Sequence, residues 1–478
     1  MRRVLPLACL SVLLSGCMIG PDFFRPKVET PAAYRYEEKT ARDLANTEWW
    51  KQFGDPVLDG LINEALANNK NVQIAAANVQ AAAALLTQTQ SSLYPQLGYQ
   101  GDAARQRFSE SSATPLVANI PNPQNAYSAL LGASWELDLW GRIRRLSESA
   151  RASALATEEA RRGVILSLVS SVATSYIQLR SFDYQLEIAN RTLITYAESV
   201  KLFELQFKYG QISLMTVEQA RSQYEVAAAA IPQIQRDIAV TENAISTLLG
   251  RNPGPVARGK ALVALVIPAV PAGVPSELLE RRPDIAQAEQ QLVAANAQIG
   301  AAKAQYFPTI SLTGAFGSAS GQLSNLFSGP AKTWSFAGAL AGPIFTGGLI
   351  SGQVAQAEAN QQAALINYTL VIQTAFADVE NSLVTNQKTG EQVTAEIRRV
   401  RALSEYARLA MLQYNGGYTD YLTVLNAQQQ LFPAELNYAQ NLGRVYSSLV
   451  GVYKAMGGGW INEADKLTAQ KPLPENLR

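Results

Sequence analysis

Residues 142–209 contain no proline and a single glycine, Gly163, and their apolar side chains recur every three or four positions. This spacing predicts one continuous α-helix, which at 1.5 Å per residue would be about 100 Å long. A second proline-free run of the same kind covers residues 348–414. No globular core of ordinary size requires helices of this length, so we expect them to pack side by side along their whole length.

The two runs belong to an internal repeat. Gly210, just after the first run, recurs as Gly417 just after the second (417 − 210 = 207). Upstream, SLYPQLGYQ (92–100) resembles QYFPTISLT (305–313), with a larger offset (305 − 92 = 213). An offset that changes between two matches marks an insertion in a loop, where extra residues cost little. The sequence therefore predicts two copies of one structural unit.

Each copy is predicted to contain a helix, two strands, a very long helix, a turn and a second long helix. In the first copy, residues 57–93 are rich in alanine, glutamine and leucine and predict a helix, and residues 96–106 and 127–139 alternate as strands do. In the second copy, residues 309–316 and 334–344 alternate in the same way. The fold class is therefore mixed and mainly α.

Four strands per chain are too few to form a membrane wall. Strands of about 10 residues can cross a bilayer when tilted. Open sheet edges are not tolerated in lipid, and closed membrane barrels begin at about eight strands. The hairpins are thus either soluble edge features or parts of a β-barrel shared among chains. Two, three or four chains would supply 8, 12 or 16 strands, and the strand count does not choose between them.

The N-terminus indicates a destination. Arg2 and Arg3 precede the short apolar run 4–14, and LSGC (14–17) resembles a bacterial lipobox. In such signals Cys17 takes a diacylglycerol on its thiol, becomes the first residue after cleavage and is acylated on its amine, typically with palmitate. Several acyl chains anchor a protein firmly, at roughly 0.8 kcal/mol per buried CH₂. The next residue is methionine rather than aspartate, which favours the outer membrane.

Composition narrows the chemistry. The chain has no histidine, which removes the commonest general base and the commonest metal ligand. Its net charge is +1, so no footprint for nucleic acid is present. No phosphate-binding or nucleophile-elbow motif stands out. We therefore expect no catalysis, no metal site, no cofactor and no nucleic-acid partner.

Several stretches together resemble one known family. ERRPDIAQAEQQLVAANAQIGAAKAQYFPTISLTG (280–314) resembles the signature stretch of the outer-membrane factor family, the TolC-like efflux ducts. WELDLWGR (135–142), GPIFTGG (342–348), the YG turn (209–210) and GGGW (457–460) fit the same family. With its lipobox the chain is most similar to the OprM-like lipoprotein branch, which serves resistance-nodulation-division drug pumps.

The resemblance implies an assembly and a function. It implies a homotrimer with a 12-strand barrel in the outer membrane and a coiled-coil α-helical tunnel that extends into the periplasm. Such a duct is a passive channel that exports small toxic molecules and drugs. It works with a periplasmic adaptor, which opens it, and an inner-membrane pump. The alternatives are a duct of the same fold for protein or metal export, and a structural periplasmic lipoprotein without a pore.

The resemblance also places function at the two turns that follow the long helices. The adaptor is expected to contact six residues there: Gly210, Ser213, Leu214, Gly417, Asp420 and Tyr421. A simpler explanation for the two glycines is that they only let the chain reverse at a helix end.

A gate is expected beside these turns. Leu422 and Asn426 are four residues apart, hence on one helix face, and would form two stacked rings in a trimer. The family commonly has aspartate at the second position, so Asn426 removes three negative charges from the ring and leaves the ion preference open. Tyr414 matches a tyrosine that latches neighbouring helices, with Glu218 as its expected partner.

The expected organisation has six segments. They are a signal peptide (1–16), an anchor and extended segment (17–56), the first repeat (57–250), a linker (251–275), the second repeat (276–457) and a C-terminal tail (458–478).

Overall fold

The computed structural model describes residues 18–36, 48–109, 111, 121–270, 275–457 and 460–468. The predicted signal peptide and Cys17 lie outside these residues.

Nine helices and four strands make up most of the described residues. In chain order they are α1 (Pro56–Asn68), α2 (Lys70–Ser91), β1 (Gln96–Gln106), β2 (Gln124–Leu137), α3 (Arg142–Lys208), α4 (Leu214–Leu248), α5 (Pro275–Arg281), α6 (Pro283–Ala304), β3 (Thr309–Ser320), β4 (Lys332–Ala341), α7 (Leu349–Asn415), α8 (Tyr421–Ala455) and α9 (Ile461–Lys466). Within the described ranges, none of the helices carries an apolar stretch long enough to cross a membrane.

The internal repeat is confirmed by the lengths of corresponding helices. α2 and α6 both have 22 residues, α3 and α7 both have 67, and α4 and α8 both have 35. The offset between α3 and α7 is 207 (349 − 142), and that between β1 and β3 is 213 (309 − 96). Each copy therefore contains the predicted succession of helix, hairpin, long helix and returning helix.

One predicted helix is wrong in extent. Residues 57–93 were expected to form a single helix, but Asn69 divides them, with an extended ψ of 130°. Its Oδ1 accepts hydrogen bonds from the N–H groups of Asn71 (2.9 Å) and Val72 (3.1 Å) and so caps α2. Its Nδ2 also donates to the carbonyl oxygen of Leu248 (2.8 Å), which fixes the break against the end of α4.

The strands form one antiparallel sheet in the order β1-β2-β3-β4. In its register Tyr99 lies opposite Leu131, Leu131 opposite Phe316, and Phe316 opposite Trp334. These four side chains share one face and are 60–90% exposed in the single chain. The other face is largely small or polar, with Ser128 donating to Asp102 (3.1 Å). The sheet thus presents an uncovered apolar face and has two free edges, β1 and β4.

The four longest helices pack in a row. α4 packs on α3, α3 on α8, and α8 on α7, so α4 and α7 form the two ends of the row. The main core lies at the end of α8, where Trp49 stacks on Tyr453 with ring centroids 5.1 Å apart and Trp460 packs against both Trp49 and Trp50. This core fastens the N-terminal segment and the C-terminal helix to the helix row.

Two glycines with similar backbone angles allow a matched test of this packing. Gly250 (φ +74°) ends α4 beneath Asn68, and a Cβ there would lie 2.2 Å from the Asn68 carbonyl oxygen. Gly210 (φ +71°) has open space around it. The left-handed conformation alone costs alanine roughly 1–2 kcal/mol. We expect Gly210→Ala to lower the melting temperature slightly and Gly250→Ala to lower it much more, as followed by circular dichroism at 222 nm. Equal shifts would contradict the close packing at Gly250.

Candidate functional site

The two turns that follow the long helices lie side by side at one end of the row. Gly210 and Gly417 both have positive φ angles, +71° and +75°. At each turn the N–H three residues past the last helical residue donates to a carbonyl oxygen five residues earlier: Gln211 to Gln206 and Tyr418 to Gln413, both 2.9 Å. This is the Schellman arrangement, in which glycine is favoured because it adopts a left-handed conformation without strain. Both glycines therefore favour the reversal of the chain at these two helix ends.

A three-ring aromatic cluster joins the two turns. The rings of Phe203 and Tyr421 are 4.2 Å apart, and Tyr414 lies 6.0 Å from Phe203 and 5.8 Å from Tyr421. Tyr421 is only 5% exposed, and its burial raises its pKa to about 12. The Tyr421 side chain therefore helps to hold the two hairpins together, and the expected adaptor contact by Tyr421 stays a prediction.

The other predicted tip residues lie at the surface. Leu214 is 52% exposed, and Ser213 and Asp420 precede the first turns of α4 and α8. The Asp420 carboxylate accepts hydrogen bonds from the Thr423 backbone N–H (3.3 Å) and hydroxyl (3.2 Å), so it caps α8.

Two exposed tip residues were missed by the sequence analysis. Met215 is 67% exposed and Tyr418 is 87% exposed, and they flank Leu214 and Asp420 respectively. The signal available in the sequence was their place beside the turn glycines, since large apolar side chains at a loop tip have no core to enter. They extend the apolar surface of the tip beyond the residues predicted.

Leu422 and Asn426 lie together on one exposed face of α8. Leu422 is 51% exposed and Asn426 is also exposed, whereas Val424 and Leu425 on the opposite side are buried in the tip cluster. Neither predicted gate residue is used by the packing of its own chain. Both are therefore available to line a surface formed with other chains.

Tyr414 and Glu218 are not partners within the chain. The Tyr414 hydroxyl donates to Oε1 of Gln206 (3.3 Å). Glu218 accepts from Arg221 (2.8 Å), which also donates to Glu204 (2.8 Å). A latch between Tyr414 and Glu218 stays a prediction about neighbouring chains.

At the other end of the long helices, the N-terminal segment is fixed to the junction of sheet and helix. The N–H of Ile19 donates to the Trp140 carbonyl oxygen (3.1 Å), and the buried Arg145 donates to the Ile19 carbonyl oxygen (3.2 Å). Met18 lies so close to Gly141 that a Cβ there would be 2.9 Å from Met18 Cγ. Cys17 itself is outside the described residues, but its neighbour is held where the sheet ends and α3 begins.

The RRPD stretch has a structural role. Pro283 begins α6, and the buried Arg282 pairs with Asp284 (2.6 Å) and Asp378 (3.1 Å) and donates to the Ala455 carbonyl oxygen (3.0 Å). These bonds hold α6, α7 and α8 together. In the described part of the chain, no group of acidic or cysteine side chains is arranged to hold a metal ion.

Comparison with known proteins agrees with this architecture. The family model described as outer membrane efflux protein matches residues 61–251 and 274–458. The toluene efflux pump outer membrane protein TtgC of Pseudomonas putida is 36% identical over 98% of each chain. The cation efflux system protein CusC of Escherichia coli is 36% identical, over 96% of this chain and 99% of the relative.

A solved structure gives the same result. The open state of the Neisseria gonorrhoeae MtrE outer membrane channel superposes with a TM-score of 0.83 at 31% identity, covering 93% of this chain and 99% of that one. The resemblance inferred from the sequence motifs, the fold class and the outer-membrane location are confirmed. The chain belongs to the outer membrane efflux protein family, whose members are channels of the outer membrane rather than enzymes.

Proposed function

We propose that three copies of this chain form the outer-membrane duct of a tripartite efflux pump. The duct is passive: an inner-membrane pump supplies the energy and a periplasmic adaptor opens the tip. The observation that carries the proposal is that one chain ends in two free strand edges and two free helix faces. Three is the number of copies that the family resemblance implies.

The sheet supports closure between chains. All residues of β1 and β4 are exposed in the single chain, and the backbone groups at their outer edges have no strand beside them. In lipid those groups must be paired, so β4 of one chain pairs with β1 of the next. Three chains give twelve strands (3 × 4), and the apolar face that carries Tyr99, Phe316 and Trp334 then faces lipid.

The proposed lipid anchor and the predicted segments of the chain can each be given a place in this trimer. Met18, which follows the proposed lipidation site Cys17 in the sequence, lies at the junction where the sheet meets α3. We therefore propose that acyl chains on Cys17 enter the membrane beside the barrel. We propose that the first repeat (57–250) and the second repeat (276–457) are equal units of the ring. The described parts of the linker 251–275 and of the tail 458–478, residues 251–270 and 460–468, are proposed to pack around the outside of the helical tunnel.

The gate is proposed at the tip. Leu422 and Asn426, both exposed on one face of α8, form two rings around the threefold axis. Three leucines that converge exclude water and close the pore to ions. The Tyr414 and Glu218 side chains are proposed to latch neighbouring helices in the closed state.

The adaptor is proposed to contact the exposed tip. The proposed surface consists of turns and helix ends, and the exposed Met215 and Tyr418 add apolar area to it. Its predicted residues are Gly210, Ser213, Leu214, Gly417, Asp420 and Tyr421, the last through the start of α8 that it forms. Binding there opens the duct only if the adaptor prefers the open arrangement of the hairpins, because a ligand shifts an equilibrium by its differential affinity.

The proposed cargo is small toxic organic molecules. Relatives of equal similarity are named for toluene efflux and for cation efflux, and the likeness to the latter makes metal export the second candidate. We would compare cells that lack the gene with complemented cells, using dyes and antibiotics in one series and a panel of transition-metal salts in the other. Raised accumulation of the organic compounds, reversed by the gene, is expected. Sensitivity to the metal salts alone would replace drug efflux by metal export.

The position of Asn426 in the proposed gate allows a test of the channel's preference for cations over anions. Asn426→Asp places three carboxylates in the gate ring, so we expect the channel to favour cations more strongly than the unmodified protein does. The reversal potential in a planar bilayer under a salt gradient measures this preference. Asn426→Ala, which adds no charge, is the matched control. If the aspartate variant left the reversal potential unchanged in an open channel, Asn426 would not line the conducting path.

Two substitutions of Asp420 separate its role as the N-cap of α8 from its proposed role as an adaptor contact. Asp420→Asn keeps an N-cap but removes the charge, whereas Asp420→Ala also removes the cap, at a cost of roughly 1 kcal/mol. We expect the asparagine variant to keep its melting temperature but to lose adaptor affinity, measured by surface plasmon resonance with the purified adaptor. If the asparagine variant bound the adaptor normally and only the alanine variant were impaired, Asp420 would be a helix cap and not an adaptor contact.

A further inference from the structure

The contact between the long helix of copy one and the returning helix of copy two keeps one register over a long distance. Near the tip, Phe203 of α3 packs on Tyr421 of α8, with ring centroids 4.2 Å apart. Far above it, a Cβ on Gly443 would lie 2.9 Å from Cβ of Ser181. Both pairs of residue numbers add to the same value (203 + 421 = 624 and 181 + 443 = 624). A residue n of α3 therefore lies level with residue 624 − n of α8.

The repeat transfers this register to the contact between chains. In the proposed trimer the ring alternates copy one and copy two, so α7 of one chain meets α4 of the next as α3 meets α8 within a chain. A residue number in α7 is 207 higher than that of its equivalent in α3, and a residue number in α4 is 207 lower than that of its equivalent in α8. The sum of the two residue numbers at one level therefore stays at 624. The contact is heterologous and closes a ring, as cyclic symmetry requires. This step rests on the proposed function, because it assumes the trimer.

The register places a basic residue opposite an acidic one. Arg399 of α7 is level with Glu225 of the next chain (399 + 225 = 624). Their equivalents within the chain are Thr192 (399 − 207) and Phe432 (225 + 207), which are 9% and 4% exposed. Thr192 and Phe432 line the same cavity of about 280 Å³ between α3, α7 and α8. The positions of Arg399 and Glu225 are thus interior to the contact between chains.

Within the described residues, neither Arg399 nor Glu225 forms an ion pair in the single chain; Arg221, four residues before Glu225 on α4, pairs with Glu204 and Glu218 and interacts with Glu225 only beyond 4.0 Å. Arg399 and its neighbour Arg398 are exposed, and across the described ranges no carboxylate lies within 4.0 Å of either; Glu225 has no cation within that distance. A charge that becomes buried in a contact is costly unless it is paired. An Arg399–Glu225 pair between chains removes this cost for both.

The comparison with copy one explains why two arginines are available. Arg398 corresponds to Arg191 (398 − 207), which pairs with Glu435 across the contact of α3 with α8 (2.8 Å). The position of Glu435 is occupied on α4 by Ala228 (435 − 207). Glu225 lies three residues before Ala228, on the same helix face. Each contact therefore keeps one carboxylate. In the contact between chains it is Glu225, which lies about one turn from the position equivalent to Glu435 and is near both Arg398 and Arg399.

We propose that Arg399, assisted by Arg398, forms an ion pair with Glu225 of the neighbouring copy of this chain, at each of the three contacts of the ring. The pair lies about 22 Å above Tyr414 along α7 (414 − 399 = 15 residues at 1.5 Å each). It is therefore separate from the gate and the latch. It fixes the register of neighbouring chains, because charge pairs across an interface specify register well.

A disulfide test measures the register directly. Arg399→Cys with Glu225→Cys is expected to give covalently linked trimers on a non-reducing gel after mild oxidation. Thr192→Cys with Phe432→Cys is the matched control, because its equivalent geometry lies within one chain and should give linked monomers only. Arg399→Cys with Gln235→Cys is out of register by ten residues and should give no link.

A charge exchange tests the ion pair itself. Glu225→Arg is expected to lower the temperature at which the trimer dissociates, and Arg399→Glu combined with Glu225→Arg is expected to restore most of the loss. A double variant no more stable than the worse single variant would overturn the ion pair. Native mass spectrometry of each variant distinguishes a wrong register from a wrong assembly. An intact trimer that forms no disulfide between Arg399→Cys and Glu225→Cys overturns the register alone. The absence of a trimer in the unmodified protein overturns the proposed assembly.

Discussion

Backbone N–H and C=O groups at the edge of a sheet have no partners in lipid, and this fact governs how the chain must assemble. The sheet has an exposed apolar face and two free edges, β1 and β4. No rearrangement of four strands closes them into a membrane barrel, since closure begins at about eight strands. The backbone groups of β1 and β4 are all paired only when each edge strand meets the opposite edge strand of another copy. The sheet is therefore stable in lipid only as part of an assembly.

The helical part also has two free ends, α4 and α7, which are proposed to meet between chains, but the contact there is of a different physical kind. Each α-helix satisfies its own backbone hydrogen bonds, so the proposed contact of α7 with α4 of the next chain would be held only by side chains. The strand contact would be fixed by a ladder of hydrogen bonds along its whole length, whereas the proposed helix contact can separate near the tip at smaller cost. A duct built in this way is rigid in the membrane and adjustable at its far end. The gate, the latch and the adaptor surface are all proposed at the adjustable end.

The sequence predicted those features that depend on local pattern. Proline-free runs predicted α3 and α7 to within a residue or two, and alternation predicted the strands, because helix and strand periods are local properties. The break at Asn69 was missed because its cap is secured by Leu248, which is 179 residues away. The burial of Tyr421 was missed because it depends on Phe203 in the other hairpin. Contacts between residues far apart in the chain set these details, and no window of sequence contains them.

The measurement that tests the central claim most directly is a cryo-electron microscopy structure of the full-length, acylated protein in lipid nanodiscs. The account predicts threefold symmetry, a single closed barrel of twelve strands (3 × 4) in which β4 of each chain pairs with β1 of the next, and α7 packed on the neighbouring α4. A ring of two or four chains, or a sheet whose β1 edge stays unpaired in the bilayer, would contradict it.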